Sequence, residues 1–173
     1  MFFRLIRPET LVSPPPAVTF TVRWHMLDPE LESAYQSTSY SVIVPGREPI
    51  SIRCGARCMP LDLLLAESRA TDWAFITACN PRSAPLDEDA NAERMMRLEM
   101  VVRGRGLNCF QGEGQADDGD WPPEPSLLVL GISEADAVSI AREFEQYAIV
   151  SGSRGGEARL VWTDAGPDGQ AAE

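Results

Sequence analysis

The chain has 173 residues, 44% of them hydrophobic, enough for one domain to bury a real core without a disulfide or metal staple. All 15 of its basic residues are arginine against 26 acidic ones, a net charge of −11, and His25 is the single histidine. The absence of lysine excludes Schiff-base chemistry and a Walker-type phosphate lysine, and one histidine argues against a histidine-centred mechanism.

Residues 1–26 read as an extension. Met1 to Arg7 is broken by charge after two apolar residues, so neither a signal peptide nor a membrane helix is expected, and the location expected is cytoplasmic. Pro14-Pro15-Pro16 forms an elbow, after which Val18, Phe20, Val22 and Trp24 alternate with polar residues as a strand does. Asp28-Pro29 starts a helix well, and Met26 just before it is an alternative to Met1 as the first residue. Residues 27–163 are expected to form one α+β domain, and 164–173 a disordered tail.

Within that domain, Thr38 to Val44 and Glu48 to Arg53 flank Pro45-Gly46, the turn chemistry of a hairpin. A short helix follows Pro60 with Leu61, Leu64 and Leu65 on one face. WAFITAC, Trp73 to Cys79, is a nearly continuous apolar strand. Asp87-Glu88-Asp89 opens the next helix, whose stripe is Asn91, Met95, Leu98 and Val102 and which Gly104 and Gly106 close. Leu107 to Gln111 reads as a short strand and 112–125 as a long loop rich in glycine, aspartate and proline. LLVL, Leu127 to Leu130, is a second apolar strand. Ser133 and Asp136 have capping-box spacing ahead of a helix that buries Ala137, Ile140, Ala141 and Phe144. Ala148 to Ser151 and Ala158 to Trp162 are two further strands.

From Trp73 to Ser151 the order strand-helix-strand-strand-helix-strand is that of a ferredoxin-like split βαβ core, with an added N-terminal β-hairpin and a C-terminal strand. The two most apolar strands fall first and third, where that topology places its inner strands. The same topology brings three segments to one end of the sheet: Asn80-Pro81-Arg82-Ser83, the stretch from Gly112 through Trp121 to Ser126, and Gln146-Tyr147. Asn91 lies close to that end, at the start of its helix.

Residues 61–173 hold nine arginines against 21 acids, a surface that repels phosphate backbones and anionic lipids. Nucleic acid and membrane are therefore not expected as partners. Cys54 and Cys58, separated by three residues, are a single loose pair, and Cys79 and Cys109 stand alone, so small reduced thiols rather than a metal site are expected. Asp117, Asp118 and Asp120 fail the alternating spacing of a calcium loop. No cofactor is called for.

AFITACNPRS, then Asn91, GEGQ, WPPEPS with LLVLG, and Gln146 with AIV resemble a bacterial family of unknown function, domain-of-unknown-function family 3293. The resemblance runs over residues 28–162 and implies no activity. It implies recurrent positions at Asn80, Pro81, Ser83, Asn91, Gly112, Glu113, Gly114, Trp121, Glu124, Ser126 and Gln146. It departs at Cys79, where tryptophan is usual, and at Tyr147, where asparagine is usual.

The candidate ligand-binding residues are Asn80, Arg82, Ser83, Asn91, Glu113, Trp121, Glu124, Ser126 and Gln146. Amides and hydroxyls orient a ligand rather than move its protons, so a small polar ligand or a partner segment is the first reading. The second is a hydrolase in which Glu113 and Glu124 form an acid–base pair or hold a magnesium ion with Asn80 or Asn91. On the first reading, Asn80→Ala or Gln146→Ala abolishes ligand-induced stabilisation and leaves the melting point of the apo protein little changed.

Overall fold

A computed structural model describes residues 29–117 and 122–163. The expected strand at Val18–Trp24, Trp121 and the expected disordered tail from 164 lie outside the described residues.

The chain order begins with α1 (Pro29–Gln36), β1 (Thr38–Val42), β2 (Ile50–Ile52) and α2 (Met59–Glu67). It continues through β3 (Asp72–Ile76), α3 (Glu88–Gly104), β4 (Asn108–Ala116) and β5 (Glu124–Leu130), and ends in α4 (Glu134–Glu143), β6 (Ala148–Ser153) and β7 (Arg159–Trp162). Local chemistry sets the helix ends. Asp87 accepts from the Ala90 amide and Ser133 from the Asp136 amide, each satisfying a first-turn N–H. Beyond α3, Gly106 takes the left-handed φ of 74° that stops the helix.

Seven strands among the described residues form one antiparallel sheet in the order β2-β1-β4-β5-β3-β6-β7. The protein is α+β, and the two apolar strands β3 and β5 are inner neighbours, as their composition requires. The sheet curls. Cys54 bridges Ala158 and Arg57 bridges Glu157, and the Gly55 amide donates to the Ala158 carbonyl at 2.8 Å, which draws the β2 end of the sheet toward the β7 end.

The curl separates two apolar layers. On the outer face Ala74, Ile76, Leu127 and Val129 pack under α3 and α4 with Leu98, Val102 and Ile140. On the inner face Trp73, Phe75, Leu128 and Leu130 meet Val42, Ile52 and the Leu61, Leu64 and Leu65 stripe of α2. Alternate residues of β3 and β5 thus serve opposite cores, which is why both strands read as continuous apolar runs.

One expectation is corrected. Residues 112–116 are not loop but the second half of β4, paired with β1 on one side and β5 on the other. Gly112 allows it. A β-carbon there would overlap the Ser41 carbonyl oxygen and stand 2.9 Å from the Phe75 ring, so the close strand approach depends on glycine.

Candidate functional site

β3 ends at Ile76, and the chain then turns across the sheet end that carries the start of β5 and the start of β6. Thr77 ties this exit to β5, its hydroxyl donating to the Pro125 carbonyl at 2.8 Å. The turn is strained: Asn80, Arg82 and Ser83 have φ of 45°, 53° and 57°, left-handed values that cost a non-glycine residue roughly 1 kcal/mol or more each. The surroundings hold it there. The Asn80 amide N–H donates to Asn91 Oδ1 at 2.9 Å, Asn80 Nδ2 donates to Glu124 Oε2 at 2.7 Å, and Asn80 Oδ1 accepts from the Leu86 amide and from Asn91 Nδ2, both at 3.0 Å.

Two more anchors come from the segment after α4 and from α3. Gln146 Nε2 donates to the Cys79 carbonyl at 2.8 Å and to the Phe144 carbonyl at 3.2 Å. Arg94 reaches from α3 with Nε on the Ala78 carbonyl and one terminal nitrogen on the Phe144 carbonyl, each at 2.6 Å. Arg94 was not among the expected residues. Its signal is a lone arginine beside Asn91 and Met95 on a helical stripe that otherwise turns inward.

The end of the sheet therefore brings together Asn80, Ser83, Asn91, Glu124, Ser126 and Gln146 as the strand order implied. It does not bring in Arg82 or Glu113, and Trp121 lies outside the described residues. Arg82 is largely exposed, its guanidinium 3.6 Å from Glu145. Glu113 pairs with Pro125 across the β4–β5 ladder while Glu124 pairs with Gly114, so the two carboxylates leave opposite faces of the sheet. They cannot form an acid–base pair or share one ion, and the geometry gives the hydrolase reading no support. Among the described residues no group of three or more His, Cys, Asp or Glu side chains is placed to hold a metal ion.

Inside the curl, at this same end, lies a cavity of about 230 Å³. Phe75, Thr77, Ser126, Ala148 and Val150 form its floor, and Asn80, Ser83, Glu124 and Gln146 line its polar side. Further wall comes from Ala34 and Tyr35 of α1 and from Thr38 and Tyr40 of β1. Gly114 and Ala116 of β4 leave the space open, because neither fills it with a side chain. On the outer face a second, wider groove of about 760 Å³ runs along α3 past Leu86, Asn91, Met95 and Met96 to Pro122 and Pro123. Asn80, Glu124 and Ser126 line both spaces. The asparagine clasp is the partition between them.

Glu124 is the one charged side chain among the described residues that line the cavity. Burial raises the phenol pKa of Tyr35 and that of Tyr40, and the Glu124 carboxylate nearby adds to both shifts. Cys79, 1% exposed, has its thiol pushed up to about 11, chiefly by burial, with Glu124 again adding to the rise. The stability contributed by keeping this thiol neutral is complete below its ordinary pKa near 9 and is lost as pH rises through about 11. The urea midpoint is accordingly expected to fall between those pH values. At pH 8, iodoacetamide should modify the partly exposed Cys54, Cys58 and Cys109 and spare Cys79 until denaturant is added. Native-state labelling of Cys79 at the rate of a free thiol, read by mass spectrometry, would contradict its burial.

The clasp also changes what Asn80 is expected to do. Its side chain already serves Glu124, Asn91 and the Leu86 amide. Asn80→Ala should therefore cost about 1–3 kcal/mol in chemical denaturation, through unpaired partners and alanine in a left-handed conformation. A change within error would mean the clasp contributes nothing.

Residues 76–149 match the model of a family described as "Protein of unknown function (DUF3293)", in agreement with the resemblance carried by the short motifs. The matched segment runs from the end of β3 to the start of β6 and so contains every polar residue of the site from Asn80 to Gln146. No curated protein and no solved structure matches the chain.

Proposed function

We propose that this protein binds a small molecule with an apolar body and a polar head in the cavity between the curled sheet and α1. The observation that carries the proposal is the cavity itself, an open space of about 230 Å³ among the described residues, lined by apolar Phe75, Ala148 and Val150 and polar along one side. An engineered apolar cavity of about 150 Å³ takes benzene, so this one suits a substituted six-membered ring rather than a drug-sized ligand. We also infer that β3, β4, β5 and β6 with α3 and α4 form a ferredoxin-like split βαβ core. The antiparallel order β4-β5-β3-β6 supports that reading, and α1 and β1 then convert one face of that core into a pocket.

Gly114→Leu tests the binding site. A β-carbon at Gly114 would meet Thr38 and Tyr40 at 3.5 Å, an ordinary contact, so the side chain can enter the cavity without displacing backbone. The variant should keep its fold by circular dichroism and lose the fragments that bind wild-type protein in ligand-observed NMR. Fragments that bind both proteins equally would place the binding site elsewhere.

A further inference from the structure

We propose that the ligand's polar head is a neutral hydroxyl, on an alcohol or a phenol, that donates to Gln146 Oε1; this rests on the cavity being the binding site. Gln146 is 7% exposed and stands where the chain passes from α4 to β6. Its Nε2 donates to two main-chain carbonyls, Cys79 at 2.8 Å and Phe144 at 3.2 Å, which settles which end of the amide is nitrogen. Its Oε1 takes part in neither bond. Among the described residues no fully buried side-chain nitrogen or oxygen lacks a partner, so Oε1 keeps an open surface. Gln146 lines the inner cavity and not the outer groove, so that surface is offered to a guest in the cavity.

Four hydroxyls on the same wall spend their protons on main-chain carbonyls. Thr38 donates to Ala34 at 2.8 Å, Tyr40 to Tyr35 at 2.9 Å, Thr77 to Pro125 at 2.8 Å and Ser126 to Glu124 at 3.2 Å. These four present lone pairs to the cavity. A guest bearing acceptors alone, such as an ether, would set oxygen against oxygen and cover Oε1 without giving it a donor, which costs affinity.

One proton on the wall is left over. The hydroxyl oxygens of Tyr35 and Ser83 are 3.4 Å apart, and either can be the donor. Two hydroxyls that share one hydrogen bond commit one proton and keep the second for another acceptor. A guest hydroxyl gives its own proton to Oε1 and has lone pairs to take that second one, so a single oxygen carries both kinds of partner. The apolar body then rests on Phe75, Ala148 and Val150.

The test uses two isomers with the same ring, 2-phenylethanol and benzyl methyl ether, of which only the first has an O–H. They are titrated calorimetrically at pH 7 into wild-type, Gln146→Leu and Gly114→Leu proteins. The alcohol should bind wild-type protein about tenfold more tightly than the ether. Gln146→Leu should bring the alcohol down to the affinity of the ether, whereas a merely structural role for Gln146 would weaken both alike and keep their ratio. An ether that binds wild-type protein as tightly as the alcohol, or an alcohol preference that survives Gln146→Leu, would overturn the hydroxyl assignment. The wild-type comparison decides the matter even where Gln146→Leu fails to fold. If the assignment is overturned, loss of both probes in Gly114→Leu still supports the cavity as binding site. If neither probe binds at millimolar concentration, or if binding persists in Gly114→Leu, both readings fall.

Discussion

Truncating Leu128 to alanine is expected to cost about 2–5 kcal/mol, as is truncating Ile76. Both are fully buried on neighbouring inner strands, Leu128 at 0% and Ile76 at 1% exposure. They serve different cores: Leu128 packs with the α2 stripe inside the curl, and Ile76 packs beneath α3 and α4. Each deletion removes methyl groups from water-free surroundings and leaves a cavity that strands paired on both sides cannot close. Because the two side chains leave opposite faces of the sheet, the double variant should lose more stability than either single variant. A single loss below about 1 kcal/mol for either residue, by urea denaturation, would contradict the two-layer arrangement.

Gly112→Ala should be at least as severe, about 3 kcal/mol or more, because its added carbon collides with backbone rather than with a yielding side chain. The carbon would overlap the Ser41 carbonyl oxygen of β1 and press on the Phe75 ring of β3. The β1–β4 ladder must open to admit it, and β1 supplies the Tyr40 wall of the cavity. Gly114→Ala, two residues along on the same face, meets ordinary contacts only and should change stability by less than about 1 kcal/mol. Equal effects from the two alanines would show that strand approach, as described, does not govern this ladder.

Much of the fold was legible because it rests on local chemistry. Asp87 and Ser133 announce helix starts, Leu61, Leu64 and Leu65 a buried stripe, and the runs around Ile76 and Leu128 two-sided burial. The convergence of Asn80, Glu124 and Gln146 followed from strand order alone. What escaped depends on pairing between distant segments. The Gly112-Glu113-Gly114 run lacks an alternating apolar signal, since its glycines are chosen for the closeness of β1 and Phe75 rather than for burial of their own. With the strand unseen, its alternation was unseen too, and Glu113 was grouped with Glu124 although the register sends them to opposite faces. The cavity was hidden for a related reason. Tyr35, Thr38 and Tyr40 reach the site only because the sheet curls, and the bridge from Cys54 to Ala158 that accompanies the curl spans more than a hundred residues of sequence.

The claim that the inner cavity is the ligand site is tested most directly by amide nitrogen–proton NMR spectra recorded during titration with 2-phenylethanol, a six-membered ring with a polar head. The account predicts that the largest shifts fall on Gly114, Ala116, Ser126 and Ala148, the backbone around the cavity, and that α3 is nearly silent. Largest shifts at Leu86, Asn91, Met95 and Met96 would place the ligand in the outer groove and contradict it.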